Sequence, residues 1–262
     1  MADAWDSGAA YEPYVGRWSR LVAAEFLRWL RISPQSRWFD FGCGTGALTQ
    51  TILALANPVQ VVGCDRSAGF VDFAQQHTSD PRAAFVVAEL PHLPDLPGGF
   101  DACVSGLVLN FLPNPATALA AFASRTRHRG TIAAYVWDYG GGMELMRLFW
   151  DAAGALDPAA AALDEGRRFP LCQPEALKAL FDRAALDDVA VRAIDVPTVF
   201  SGFNDYWMPF LGGQGPAPGY VQRLLPEQRE RLRDELHRRL PLQPDGSIQL
   251  RARAWAVRGT VA

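Results

Sequence analysis

Between residues 37 and 137 the sequence alternates short apolar runs with helix-like segments, and this rhythm limits the available folds more than any other feature. The apolar runs, rich in β-branched and aromatic residues, are 37–41, 59–64, 84–87, 101–105 and 131–136. The helices expected between them are 47–56, 67–76 and 115–125. Strands and helices that alternate in this way build parallel βαβ units. The sequence therefore predicts an α/β fold with a Rossmann-like, doubly wound sheet.

After Trp137 the pattern changes. Three glycines, Gly140–Gly142, interrupt it. The periodicity predicts helices and a strand at Glu144–Leu156, Pro174–Arg183, Val189–Val196 and Pro226–Leu240. Phe203–Tyr220 is dense in aromatic residues, Gly and Pro, and we expect a loop there, whereas the alternation over Ile248–Val257 predicts a closing strand. We expect one domain over residues 1–262, with an N-terminal helix or lid in 1–30 and insertions between about residues 140 and 240.

Charge and composition exclude several classes of protein. The net charge of −3 gives no overall attraction for nucleic acid, and we expect no nucleic-acid partner. No apolar run is long enough for a membrane span. The four cysteines form no CxxC pair and three of them lie in or near apolar runs, which indicates buried, reduced thiols, no metal site and a cytoplasmic location.

One motif between the first strand and the first following helix points to a ligand. It reads Asp40-Phe41-Gly42-Cys43-Gly44-Thr45-Gly46. Glycines allow unusual backbone dihedrals and a close approach of a ligand, and the next helix begins with unpaired N–H groups. The spacing is GxGxG, whereas the nicotinamide fingerprint is GxGxxG. The spacing therefore argues against a nicotinamide site.

This motif, with the features that follow it, resembles the class I S-adenosylmethionine (SAM)-dependent methyltransferases of the ubiquinone-methylase-like group. The resemblance implies about seven strands, mostly parallel with an antiparallel last strand, and a cap inserted in the C-terminal half. It implies SAM as cofactor and S-adenosylhomocysteine as product. Asp65, which ends "VVGCD" with Arg66 beside it, takes the position of the acid on the ribose hydroxyls. Glu89 and Leu90 take the positions that contact adenine, and Ser105 ends the fourth strand near the cofactor.

Two parts of this implied site have open alternatives. Asp40 either contacts SAM or orders the loop that contains Cys43 and Thr45. In related enzymes an N-terminal aromatic residue and a basic residue close over the methionine end of SAM. Tyr14 is the candidate aromatic residue and Arg20, or Arg17, the basic one. The alternative for Tyr14 is packing in the core.

The acceptor is predicted to be a small molecule, bound by Trp137–Trp150 and by Phe203–Phe210, where Trp207 and Met208 are prominent. Ordinary core packing is the competing interpretation for Trp207. No catalytic residue can be named, although His92, Asp138 and Tyr139 follow strands and are candidates. The alternatives are an inert SAM-binding protein, a nucleotide-dependent oxidoreductase and a methyltransferase for macromolecules. Against the last, the fourth strand is followed by Ser105–Leu109 rather than by an N/D-P-P-aromatic motif.

Overall fold

The computed structural model describes residues 12–90, 93, 99–212 and 215–262, and its framework is a seven-stranded sheet. The strands are β1 (Arg37–Phe41), β2 (Gln60–Asp65), β3 (Ala83–Val87), β4 (Phe100–Gly106), β5 (Thr126–Trp137), β6 (Asp187–Phe200) and β7 (Ile248–Thr260). Their order is β3-β2-β1-β4-β5-β7-β6. Strands β1 to β5 pair in parallel and the last strand is antiparallel. The predicted α/β, doubly wound sheet is confirmed.

Ten α-helices connect or flank the strands within the described residues. They are α1 (Arg17–Leu30), α2 (Ala47–Leu55), α3 (Ala68–Gln76), α4 (Pro115–Ala123), α5 (Glu144–Leu156), α6 (Glu165–Arg168), α7 (Pro174–Arg183), α8 (Phe203–Trp207), α9 (Pro216–Arg223) and α10 (Pro226–Arg239). A π-helical turn, Glu12–Gly16, precedes α1. Short 3-10 turns occupy Leu109–Phe111, Pro158–Ala162 and Met208–Leu211.

The loop prediction for Phe203–Tyr220 was wrong, because this stretch contains α8, a 3-10 turn and the start of α9. Its prolines do not break the helices. Pro216 and Pro218 lie in the first turn of α9, where a missing N–H costs no hydrogen bond. Tyr206 and Trp207 of α8 are buried, so tertiary packing stabilises a helix too short to persist alone.

Contacts divide the chain into two compact units that interleave along the sequence. We call the first the sheet unit; it comprises Ser19–Val136, Leu171–Ile194 and Ala254–Ala262. The second, which we call the aromatic unit, comprises the described residues up to Trp18 together with Trp137–Pro170 and Asp195–Arg253. Each unit is therefore assembled from three separate segments of the chain.

The sheet unit has a core of large side chains from its parallel strands. Trp38, Phe39 and Phe100 are buried, and the rings of Phe39 and Phe100 lie 5.4 Å apart. Phe122 of α4 packs against Phe41 at 5.3 Å. The inner strands are covered on both faces, which explains why they read as continuous apolar runs.

The aromatic unit has a core of its own. Phe149 of α5 stacks on Phe210, with ring centroids 4.5 Å apart and an angle of 12° between the planes. Tyr14 meets Phe210 edge-on at 5.6 Å, and Tyr206 and Trp207 lie beside it. Offset-stacked and edge-on pairs of this kind add to the stabilisation from burial.

Three further findings concern membrane-spanning helices, metal-binding clusters and cysteines. No helix in the described part of the chain is long and apolar enough to cross a bilayer. Residues 12–90, 93, 99–212 and 215–262 contain no cluster of three His, Cys, Asp or Glu side chains that could hold a metal ion. The described cysteines form no disulfide, and all are buried: Cys43, Cys64, Cys103 and Cys172.

Candidate functional site

The glycine-rich turn lies at the carboxyl edge of the parallel strands, between β1 and α2. Gly42, Gly44 and Gly46 all have positive φ, at 70°, 52° and 87°. A Cβ at Gly42 would lie 2.5 Å from Cγ2 of Val108, so the backbone there approaches a neighbour too closely for any side chain. A Cβ at Gly44 would meet nothing within 4 Å. The loop is thus packed at Gly42 and faces open space at Gly44, as a ligand-binding turn requires.

Asp65 at the end of β2 is tied directly to this turn. Its Oδ2 accepts the backbone N–H of Gly44 at 3.0 Å, and its Oδ1 accepts that of Ser67 at 2.9 Å. Burial raises the pKa of Asp65, although the hydrogen bonds from Ser67 and Gly44 oppose that shift. Parallel strands bring their carboxyl ends to one edge, and here that geometry joins the predicted ribose acid to the predicted loop.

Asp40 of β1 is only 1% exposed and lies beneath the turn. Its Oδ2 accepts the hydroxyl of Thr49 of α2 at 2.7 Å, while its Oδ1 is buried with no hydrogen-bond partner among the described residues. The pKa of Asp40 is raised from 3.8 to about 7, mainly by burial and also by nearby Asp65, against the opposing hydrogen bonds from Thr49. These contacts favour the loop-ordering role for Asp40.

Glu89 and Arg66 lie at the surface of the same edge. Their side chains are 68% and 70% exposed, and Nη1 of Arg66 lies 3.8 Å from Oε1 of Glu89. The N–H of Ala88 donates to the carbonyl of Asp65 at 2.9 Å, so the chain leaves β3 beside Asp65 and continues to Glu89 and the half-buried Leu90. Exposure leaves the Glu89 carboxylate accessible to a ligand.

Ser105 is fully buried at the end of β4. Its hydroxyl donates to the carbonyl of Phe41 at 2.9 Å, directly before Gly42. Cys43 and Thr45 are also buried, and the N–H groups of Gly42 and Cys43 both donate to the carbonyl of Cys64. The side chains inside the loop therefore hold its shape and leave its backbone to meet a ligand.

The N-terminal candidates have defined surroundings of their own. Tyr14 is buried and its hydroxyl donates to Sδ of Met146 at 3.1 Å; burial is the main cause that raises its pKa. Arg17 forms an ion pair with Asp205 at 2.8 Å. Arg20 is half-buried in the sheet unit. The roles of Tyr14 and Arg20 toward the cofactor stay predictions.

The candidate bases and the expected acceptor-binding residues have these positions. His92 lies outside the described residues. The carboxylate of Asp138 accepts the N–H groups of Gly141 at 3.1 Å and Gly142 at 2.9 Å, so it forms the turn that follows β5. Tyr139 and Trp207 are buried, whereas Met208 is 59% exposed.

Sequence reasoning missed two residues that shape the turn. Thr49 anchors Asp40, and Val108 fills the space beside Gly42. Thr49 lies in the first turn of α2, so a hydroxyl three residues after the last glycine of the motif was an available signal. Val108 gave none, because its contact depends on how the chain leaves β4, where Leu107 has a φ of 65°.

Comparison with known proteins finds matches over the part of the chain that contains this turn. Residues 39–134 match the family model described as a methyltransferase domain. The trans-aconitate 2-methyltransferase of Methylobacterium nodulans is 30% identical over 139 residues, which are 53% of this chain and 51% of that enzyme. The tRNA (carboxymethyluridine(34)-5-O)-methyltransferase alkbh8 of Xenopus tropicalis is 33% identical over 101 residues, 37% of this chain and 15% of that enzyme. The chain thus spans about half of one of these relatives and much less of the other.

Solved structures agree on the fold. A provisionally named methyltransferase of Bacillus halodurans superposes with a TM-score of 0.59 at 10% identity, covering 91% of this chain and 97% of that one. The phosphoethanolamine N-methyltransferase 2 of Haemonchus contortus, solved in complex with SAM, gives 0.59 at 14% identity, covering 96% and 56%. Residues 39–134, with the glycine turn inside them, thus match a methyltransferase domain, and the chain has the fold of these methyltransferase structures.

Proposed function

We propose that the protein transfers a methyl group from SAM to a small-molecule acceptor by in-line displacement. The observation that carries the proposal is the 3.0 Å hydrogen bond between Gly44 N–H and Asp65, which unites the two strongest cofactor motifs in one place. The spacing that distinguishes this turn from a nicotinamide site supports the same conclusion.

The residues at the sheet edge fit such a cofactor. The space beside Gly44, which a Cβ would enter, can admit the methionine portion against the backbone. Asp65 has a half-buried carboxylate suited to ribose hydroxyls, and the exposed Glu89 with the N–H of Leu90 is suited to adenine. Asp40 and Ser105 would hold the turn rather than touch the ligand. When bound, SAM supplies an electrophilic methyl group on a sulfonium.

The protein's own part in such a reaction is alignment and exclusion of water. A positioned base is needed only for an acceptor that must lose a proton. Asp138, the best-placed candidate in the sequence, already accepts two backbone N–H groups. We therefore assign no base and attribute catalysis to positioning.

Three observations support a small acceptor. The net charge of −3 gives no general attraction for a polyanion. The segment after β4 lacks the motif of enzymes that methylate base amines. One relative is named for a small carboxylic acid, trans-aconitate, although another is named for tRNA. A cytoplasmic location accompanies this proposal, because the four buried cysteines form no disulfide.

Calorimetry with SAM, S-adenosylhomocysteine and NAD tests the cofactor. We expect SAM and S-adenosylhomocysteine to bind with micromolar affinity and NAD far more weakly; tighter binding of NAD would overturn the proposal. Mass spectrometry of the purified protein, which detects retained SAM or its demethylated product, provides an independent check.

Radiolabelled SAM incubated with a fractionated cell extract then tests the acceptor. Label in the small-molecule fraction supports the proposal, and label confined to RNA or protein contradicts the acceptor class while leaving the cofactor intact. Cofactor binding without label in any fraction would indicate the inert alternative.

A further inference from the structure

A surface cleft in the aromatic unit has no part in the cofactor motifs. Its volume is about 430 Å³, and its lining consists of residues 201–205 together with Arg233 and His237 of α10. All of these residues belong to the aromatic unit. Small-molecule sites usually fall between about 300 and 1,000 Å³, so the cleft is large enough for a small organic ligand.

The one acid among the lining residues already has its partners. Asp205 accepts Nη1 of Arg17 at 2.8 Å and the N–H of Ser201 at 2.9 Å. Burial opposes ionisation, but the hydrogen bonds from Ser201 and Arg17 lower the pKa of Asp205 below its ordinary value. The carboxylate is therefore ionised and balanced by Arg17, and it does not require a cation from a ligand.

The basic groups of the cleft are balanced less closely than Asp205. Arg233 and His237 are one helical turn apart on α10 and so lie on one face. No hydrogen bond to either side chain is found among the described residues. Arg233 forms a long ion pair with Glu230 on the same helix: Nη1 lies 3.9 Å from Oε2, beyond hydrogen-bond distance, and the Arg233 side chain is 40% exposed. The cleft therefore presents unused donors.

Phe203 supplies an apolar surface between these donors. The Arg233 guanidinium lies 5.4 Å from the Phe203 ring centroid, and the His237 ring meets Phe203 edge-on at 4.8 Å. The Phe203 ring is nearly parallel to that of the buried Trp207, with 9° between the planes and 6.5 Å between centroids. The position of the ring is thus defined by the core behind it.

We propose that this cleft binds a small planar carboxylate, such as an aromatic or conjugated acid. The guanidinium of Arg233 offers a planar fork that matches a carboxylate, and His237 can donate a further hydrogen bond. The body of the ligand would lie along Phe203. Inorganic phosphate shares the negative charge but lacks an apolar body, so it should bind more weakly. The site is additional to the methyl-donor site and does not depend on it.

Calorimetric titration of the whole chain with sodium benzoate tests the proposal. We expect a dissociation constant of about 1 mM or tighter, and at least about tenfold weaker binding of neutral benzamide and of phosphate. Arg233→Gln should weaken benzoate about tenfold or more. The matched control Arg231→Gln changes an exposed arginine on the same helix that does not line the cleft, and it should leave the affinity within about twofold.

Equal benzoate affinity in Arg233→Gln and Arg231→Gln, equal binding of benzamide or phosphate by the wild type, or no benzoate binding at about 10 mM would each overturn the proposal. If Arg233→Gln does not fold by circular dichroism, His237→Gln replaces it, with an expected loss of about threefold or more; no loss there contradicts the proposal. S-adenosylhomocysteine binding is measured on the same samples, so a failure of the methyl-donor assignment is seen separately.

Discussion

At the scale of single residues, the two acids beside the glycine turn have different surroundings. Asp65 is half-buried and accepts the backbone N–H groups of Gly44 and Ser67. Asp40 is fully enclosed, with one oxygen bonded to Thr49 and the other without a partner in the described part of the chain. Asp65 is therefore suited to contact a ligand, whereas the enclosed Asp40 should affect how the stability of the protein depends on pH.

Asp65→Ala should weaken S-adenosylhomocysteine binding by about 1.5–3 kcal/mol, the scale of a lost charge-assisted hydrogen bond. Calorimetry measures the change. Asp72→Ala is the matched control, because Asp72 is an exposed aspartate on α3, and it should leave the affinity unchanged. An unaltered dissociation constant in Asp65→Ala would remove Asp65 from the site.

Asp40→Asn should change how stability depends on pH. The folded pKa of about 7 lies above the ordinary 3.8, so the folded state holds a proton that the unfolded state releases. Stability of the wild type is then lost as pH rises from about 4 to 7, at up to about 1.4 kcal/mol per pH unit. Asparagine does not titrate and mimics the protonated acid.

Urea unfolding of both proteins at pH 5, 6, 7 and 8 measures this effect. Relative to the wild type, Asp40→Asn should gain about 2–3 kcal/mol between pH 5 and pH 8. Other titrating groups are shared and cancel in the difference. A difference that is the same at every pH would show that the Asp40 pKa is not raised.

At the scale of elements, the turn between β1 and α2 combines strain with open space. Gly44→Val should abolish S-adenosylhomocysteine binding, because the side chain enters the space at the turn and a β-branched residue resists a φ of 52°. The fold should lose only about 1–2 kcal/mol, the cost of a left-handed residue. Calorimetry and thermal melts measure the two effects.

Gly99→Val is the control for this strain. Gly99 has a φ of 85° and equally open surroundings, but it lies outside the turn. It should cost similar stability and leave cofactor binding intact. Equal loss of binding in both variants would attribute the effect to general strain and contradict the placement of the turn.

The elements that the sequence predicted well are those with a clear apolar pattern along their length. Strands β1, β2 and β4 and helices α2, α5 and α7 lie within about two residues of their expected bounds, the usual uncertainty at an element's ends. Strand β5 begins at Thr126 rather than 131, because its polar start, Arg127–Arg129, is exposed and shows no apolar pattern. The site was predicted to the extent that local motifs define it. The motifs located Gly42 and Asp65, but not Val108, because the contact of Val108 depends on tertiary structure.

At the scale of the whole molecule, the aromatic unit contains the residues expected to bind the acceptor. Trp207 is 4% exposed and packs near Phe210 within that unit's core. This burial favours the core interpretation. Trp207→Ala should therefore lower the free energy of unfolding by about 3–5 kcal/mol. Chemical denaturation measures the loss.

Met208→Ala provides the comparison, because the neighbouring Met208 is 59% exposed and should cost less than about 0.5 kcal/mol. Folded Trp207→Ala should keep its affinity for S-adenosylhomocysteine within about twofold, since the glycine turn belongs to the sheet unit. If Trp207→Ala were as stable as Met208→Ala but failed to turn over the acceptor, Trp207 would be a substrate-binding residue instead.

The burial of the cysteines has a practical consequence for measurements on this molecule. All four cysteines lie in the sheet unit: Cys43, Cys64 and Cys103 in its first segment, and Cys172 near the start of its middle segment. Burial raises the pKa of Cys64 and of Cys103 to about 12, so neither thiol is a reactive thiolate at neutral pH. An alkylating reagent can modify such thiols only after the surrounding structure opens. The rate of alkylation at each cysteine, measured by mass spectrometry, therefore reports how often the structure around that cysteine opens, and no label has to be introduced.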